Sequence, residues 1–255
     1  MHISKQLAVQ LDFLALKFNH IDFIEKDPIS IPHLFSEKRD IEISGFIAAT
    51  IAWGNRTSII NSARKILEAM DFAPYQFIMH HSDQDLQKLE NLGHRTFRNI
   101  DLLYFIAFLK HHYSSSNSLE SAFDFTTNPT IQEALTHFHN YFFQLPFAPQ
   151  RTRKHVSTPS KGSACKRLNM FLRWMVRNDQ QGVDFGIWNE VSPAALIMPL
   201  DVHVVNSVSE LLNQPPIKPN WKNAVLLTNA LKELRPEDPV YYDYALFGYG
   251  IANKS

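Results

Sequence analysis

The stretch Ser44–Leu67, SGFIAATIAWGNRTSIINSARKIL, decides how this chain is read. Ile43, Phe46, Ile47 and Ile51 fall on one face at helical spacing, so its first half predicts an apolar helix. Gly54, Asn55 and Arg56 interrupt it with a polar turn, and a second, amphipathic helix follows. The same period recurs on both sides. Ile3, Leu7, Leu11, Leu14 and Phe18 form one stripe, and Leu102, Phe105, Ile106, Leu109 and Tyr113 another. Leu168, Phe171, Leu172 and Met175 follow, then Ala224, Leu227, Leu231 and Leu234. Asn128-Pro129 and Asp238-Pro239 read as N-caps with proline at the first helical position, backed by Ile131, Leu135, Phe138 and Phe142 and by Val240, Tyr244, Phe247 and Ile251. No segment alternates with period two, so the expected fold is all-α.

At 255 residues and 45% apolar composition, the chain can form one large domain or two lobes. No apolar run approaches the ~18 residues of a membrane span, and no basic-then-apolar start reads as a signal peptide. A cytoplasmic protein with no membrane partner is expected. The single cysteine, Cys165, excludes an intrachain disulfide, a four-cysteine iron–sulfur cluster and a cysteine-based zinc site. The pairs His80–His81, His111–His112 and His137–His139 lack the i, i+4 spacing with an intervening Glu of a zinc helix. No metal or cofactor is therefore expected.

The net charge of zero hides an asymmetry. Between Ala134 and Asn178 there is no Asp or Glu, yet Arg151, Arg153, Lys154, Lys161, Lys166, Arg167, Arg173 and Arg177 all lie there. Cations so concentrated imply a phosphate-binding surface; a solvated loop is the plainer alternative.

The segment LIMPLDVHVVNSV, residues 196–208, sets Asp201 inside an apolar run. Val204, Val208 and Leu211, with Val205 and Leu212 alongside, predict a helix starting just after it, with the aspartate as N-cap. Capping alone would account for such a residue. Upstream, SKGSACKRLNMFLRWM places Gly162 four residues before Lys166 on the turn entering a helix, where backbone amides can approach a phosphate.

These blocks resemble the helix-hairpin-helix base-excision DNA glycosylases. IAATIAWGNRTSIINSARKIL is similar to the helix, turn and helix near the start of that fold, GSACKRLNMF to the hairpin ending in its lysine nucleophile, and PLDVHV to the segment with its catalytic aspartate. Gly162 matches the first hairpin glycine, Lys166 the lysine and Asp201 the aspartate. The 8-oxoguanine branch, especially the archaeal type, is the most similar, and the chain also resembles a bacterial group known only as a domain of unknown function. Ala164 stands where the second hairpin glycine is expected, Arg167 where a small residue usually follows the lysine, and Gly54 where many members carry an amide side chain. The interval from Lys166 to Asp201, 35 residues, is long, and an inserted loop, VRNDQQGVDFGIWNE, accounts for it.

The resemblance implies a two-lobed helical bundle with a cleft between the lobes, one lobe about 41–145 and the other about 1–40 plus 146–255. It implies a monomeric DNA glycosylase and AP lyase acting on double-stranded DNA with a damaged base, 8-oxoguanine favoured. Lys166 would attack the sugar C1′ and form a Schiff base, and Asp201 would accept a proton or stabilise the sugar cation. A neutral amine is required, which burial and a neighbouring cation such as Arg167 would favour. Asn55, Arg56, Lys161, Gly162, Arg167 and His203 are the expected DNA contacts, and Trp53 and Trp188 the candidates for the base pocket. Asn55 or Arg56 would fill the gap left by the extruded base. Lys161 is the rival nucleophile. A DNA-binding module without turnover, and a helical scaffold with no nucleic-acid role, are the other classes.

Overall fold

The computed structural model describes residues 3–252 except Leu212 and Gln214, with the backbone alone for Ile251 and Ala252. The Ile251 side chain and Leu212, placed on helix stripes above, lie outside the described residues. Eleven α-helices are present among them and no strand: α1 (Lys5–Phe18), α2 (Lys38–Thr50), α3 (Arg56–Ala69), α4 (Pro74–His80), α5 (Asp83–Gln87), α6 (Asn99–Tyr113), α7 (Ile131–Phe142), α8 (Lys166–Val176), α9 (Val202–Leu211), α10 (Trp221–Lys232) and α11 (Asp243–Ala252). The all-α expectation holds. No helix among the described residues is long and apolar enough to cross a membrane.

The chain forms two compact units. One comprises residues 1–23, 130–132 and 158–255; the other comprises 24–129 and 133–157. The span expected as one lobe, about 41–145, lies in the second unit except for residues 130–132, and that unit reaches further at both ends because the turns Pro28–Ser30 and Pro32–Leu34 pack on α2 and Gln150–Lys154 packs on α6.

The second unit is built around α2 and a cluster of phenylalanines. Phe46 of α2 stacks on Phe105 of α6 at 5.2 Å, and Phe142 of α7 meets Phe105 at 4.7 Å and Phe108 at 4.4 Å. Such edge and offset pairs add to the burial of the rings themselves. A one-sided stripe understates α2, which is buried on every side from Ile41 to Thr50 because Ser44, Gly45, Ala48 and Ala49 let neighbours close on its second face. That enclosure also buries Glu42 completely. Its carboxylate accepts hydrogen bonds from the Tyr113 hydroxyl at 2.8 Å, the Ser118 hydroxyl at 2.5 Å and the Leu119 amide at 3.1 Å.

Helix α7 starts at Ile131, two residues later than the Asn128-Pro129 reading placed it. The Asn128 side chain instead donates back to the Asp124 carbonyl at 3.1 Å and closes a loop. Asp238-Pro239 opens a 3-10 turn, Pro239–Tyr242, that runs into α11.

In the first unit α11 is the shared partner, packed against both α1 and α9. A Cβ at Gly248 would sit 2.1 Å from the Phe18 ring and one at Gly250 2.7 Å from the Ser207 hydroxyl, so two glycines permit that approach.

Replacing Glu42 with Leu leaves two buried donors and the half-buried Ser118 hydroxyl without this acceptor and should lower stability in urea unfolding by about 2–5 kcal/mol. Arg64→Ala, which removes only the exposed i, i+4 pair with Glu68, should change it by about 0.5 kcal/mol or less.

Candidate active site

The site is organised by α8. Every residue from Leu168 to Arg177 is buried, so the helix passes through the interior of the first unit rather than lying on it. Two of those residues, Arg173 and Arg177, are 3% and 1% exposed. The sequence implied that they belong to a phosphate-binding surface; the structure corrects this. A buried guanidinium requires paired anions, and carboxylates from the segment after α8 and from the head of α11 supply them. Arg173 pairs with Asp184 at 3.3 Å and with Asp243. Arg177 pairs with Asp184 at 3.0 Å, Asp238 at 2.9 Å and Asp179. The Tyr244 hydroxyl donates to Asp184 at 2.8 Å, and the Arg173 guanidinium lies over the Tyr244 ring at 4.4 Å. In the second unit Arg151 is likewise claimed, by buried Asp101 at 2.7 Å.

The long segment between α8 and Asp201 is therefore not a spacer. It carries Asp179 and Asp184 to the arginines, and its amides finish the helix. Phe185 N–H donates to the Trp174 carbonyl at 2.8 Å, and Ile187 and Trp188 N–H to the Met175 carbonyl at 2.7 and 2.9 Å. These are carbonyls of the last turn, which have no acceptor role within the helix itself. Trp188, a candidate for the base pocket, is 2% exposed and packs edge-on to Phe171 at 5.3 Å, so it is a core residue.

At its other end α8 begins from an unusual turn. Gly162 adopts a left-handed conformation (φ +76) and so does Cys165 (φ 49), whereas Ala164, aligned with the second hairpin glycine, does not. For a residue with a side chain this costs about 1 kcal/mol. Local bonds hold the turn: Asn169 donates to the Ala164 carbonyl at 2.9 Å, Cys165 N–H to the Ser163 hydroxyl at 3.2 Å, and Trp221 N–H to the Gly162 carbonyl at 3.1 Å. The turn delivers Lys166 as the first residue of α8.

Asp201 immediately precedes α9 and caps it. Its Oδ1 accepts the His203 and Val204 amides at 2.9 and 3.0 Å. Its Oδ2 lies 3.6 Å from Lys166 Nζ, and both side chains are 23% exposed. Neither group is buried in the way the sequence reading required; each is open to a molecule from outside. Within electrostatic reach of both is Asp243, the first residue of α11 and 5% exposed. Burial pushes its carboxyl up to about 6 against the pull of Arg173 and Lys166, with Asp201 adding to the rise.

The structure thus brings together Lys166 and Asp201 and adds Asp243, which the sequence reading missed. The available signal was the pair Arg173 and Arg177, four apart inside an apolar stripe, with acids at 179, 184, 238 and 243 left to meet them. Lys161 and Gly162 are exposed just before the turn, and His203 is exposed on the first turn of α9. Arg167 follows Lys166 half-buried, and burial pulls its guanidinium below its ordinary value. Trp53, Asn55 and Arg56 belong to the second unit, at the turn between α2 and α3. The Asn55 side-chain oxygen is engaged in capping α3, accepting the Ser58 amide at 3.1 Å. The Trp53 ring is half-buried, stacked on His155 at 5.6 Å with His94 at its edge at 5.3 Å. Among the described residues no group of three or more His, Cys, Asp or Glu side chains is placed to hold a metal ion.

The chain belongs to the family described as "Protein of unknown function (DUF2400)", whose model matches residues 27–252. That span includes every residue of the site. No curated protein and no solved structure matches the chain.

A carboxyl whose proton affinity rises on folding binds a proton more tightly in the native state than in the unfolded one. Its contribution to stability is therefore greatest in acid and falls as pH rises between its ordinary value and about 6. The difference in unfolding free energy between wild type and Asp243→Asn should shrink from about pH 4 to about pH 6 and level off above. Urea unfolding of both proteins across that range reads the slope directly, and a flat difference would contradict the assignment.

Proposed function

We propose that this protein is a DNA repair glycosylase with AP lyase activity, built on the helix-hairpin-helix glycosylase type of fold, and that it excises an oxidised purine, with 8-oxoguanine the favoured lesion. The observation that carries the reading is the approach of Lys166 Nζ to Asp201 Oδ2 at 3.6 Å, each accessible and each fixed at a helix start. A lysine four residues after a left-handed glycine and an aspartate capping a second helix supply the two groups that glycosylase and lyase chemistry needs.

In this reading the neutral Lys166 amine forms a bond to C1′ of the damaged nucleotide as the C1′–base bond breaks, and the departing base takes the electron pair. Asp201, held by its two amide bonds, faces the positive charge that develops on the sugar. Ring opening gives a Schiff base, and proton loss from C2′ expels the 3′ phosphate and cuts the strand. Lys161, Gly162, Arg167 and His203 lie at the ends of the same two helix starts and would meet the DNA backbone, where backbone amides and cations suit phosphate. Asn55 and Arg56, with Trp53 beside them, remain the residues proposed to meet DNA from the second unit.

Mixing the protein with duplexes carrying 8-oxoguanine or an abasic site, then adding borohydride, should trap a covalent protein–DNA adduct that Lys166→Ala abolishes. Asp201→Asn should lower turnover by about two orders of magnitude or more while changing DNA affinity little. Tight binding with no adduct would replace this reading with a non-catalytic DNA-binding module; no binding would remove DNA from the function altogether.

A further inference from the structure

Lys166 takes its direction from the residue before it, because rotation about the Cys165 backbone swings the whole lysine side chain. Cys165 is left-handed (φ 49, ψ 36), stands at the N-cap of α8 and makes no capping bond with its own side chain. An N-cap is ordinarily extended, and a side chain makes the left-handed region costly. The conformation therefore has to be held from elsewhere. Resting on the Lys166 chemistry proposed above, we propose that Asn169, one turn into α8, is the positioning residue that locks this turn and so sets where the Lys166 amine meets C1′ of the damaged nucleotide.

Asn169 reaches both sides of Cys165. Its backbone N–H donates to the Cys165 carbonyl at 2.9 Å, and its side-chain Nδ2 donates to the Ala164 carbonyl at 2.9 Å. A peptide unit is planar, so fixing those two carbonyls fixes the two planes that meet at the Cys165 Cα, and with them its φ and ψ. The backbone bond is one that any helix start would make; alone it leaves the plane before Cys165 free to turn. Trp221 N–H holds the turn further back, at the Gly162 carbonyl. The side chain of Asn169 holds it at the peptide next to Cys165.

The burial of this amide points the same way. Asn169 is 1% exposed, and the residues that follow it, Met170, Phe171 and Leu172, are buried and apolar. Among the described residues no donor reaches its Oδ1. A buried amide with its oxygen unpaired costs stability relative to an apolar side chain of similar size, such as leucine. The helix thus carries a polar group that packing does not call for, and the one side-chain bond which that group makes is at the turn before Lys166.

The test uses the full chain and a duplex carrying an abasic site. With protein in excess, borohydride is added at timed intervals, and the rate at which the covalent adduct appears is compared with the affinity for the same duplex. Asn169→Leu should slow adduct formation by about tenfold or more and change affinity little, because it misplaces a reacting group without removing a DNA contact. Adding Cys165→Gly to Asn169→Leu should restore most of the rate, since glycine takes the left-handed conformation without a brace. Asn169→Ala should behave as Asn169→Leu does and is read in its place if the leucine variant fails to fold. An unchanged rate overturns the assignment, and so does a slowed rate that Cys165→Gly fails to restore, which places the fault in the core. Hydrogen exchange of the same proteins needs no DNA: loss of the brace should speed exchange around residues 162–167 alone, and Cys165→Gly should reverse it. The two readings then fail separately. A trapped adduct indifferent to Asn169 leaves the glycosylase reading and removes this one. No adduct even from wild type removes the glycosylase reading, and exchange decides the rest: faster exchange confined to that turn keeps Asn169 as the residue that sets Lys166, and unchanged exchange overturns it.

Discussion

The burial of Arg173 and Arg177 within α8 is the constraint on which the first unit depends. Removing two guanidiniums from water costs several kcal/mol each unless anions accompany them. The anions come from the segment after α8, from the turn before α11 and from α11 itself. A single electrostatic requirement thus fixes three parts of the chain relative to one helix, with a specificity that apolar packing lacks. The first residue of that helix is Lys166. Its position is set by the same arginines that the sequence grouped with it in a phosphate-binding surface.

The helical fold was legible because its signal is periodic and local. The stripes at Phe46, Ile47 and Ile51, or Leu168, Phe171, Leu172 and Met175, need no information from elsewhere in the chain. The polar turn at Gly54–Arg56 was legible for the same reason, and α3 starts at Arg56 with Asn55 as its cap. What the sequence concealed is pairing across distance. The acid-free window around residues 134–178 looked like a basic surface because charge was counted along the chain, whereas Arg173 meets Asp243 seventy residues later. Glu42 and Asp101 escaped notice by the same route, being acids on helices whose donors arrive from segments far along the chain. Trp188 was misjudged because a tryptophan in a long loop looks free; here the loop folds back to supply the hydrogen bonds that end α8 and takes the indole into the core.

The departures from the hairpin pattern look different once the backbone is known. A tight turn that needs a left-handed position usually takes glycine there, because glycine adopts it at no steric cost. The chain supplies one at Gly162 and another at Cys165, one residue after the place where the pattern expects it. The cost of that conformation at Cys165 is met by the bond the Asn169 side chain donates to the Ala164 carbonyl and the bond the Cys165 N–H donates to the Ser163 hydroxyl, both within the same turn or helix. Non-glycine residues in this region persist only where surrounding structure enforces them, and they concentrate at functional sites. The strain at Cys165 lies directly before Lys166, where a shift of the backbone would move the amine.

Asp201 presented two readings in the sequence, a helix cap or a catalytic group, and its geometry removes the opposition between them. A carboxylate has two oxygens in one plane, so fixing one fixes the other. The amides of His203 and Val204 hold Oδ1 against the head of α9, and this rotamer directs Oδ2 to Lys166. Without the cap the side chain would turn freely, and a 3.6 Å approach between two quarter-exposed groups would be one conformation among several. Capping is therefore the means by which the carboxylate is aimed, and the stability it lends to α9 is a by-product of the same two bonds.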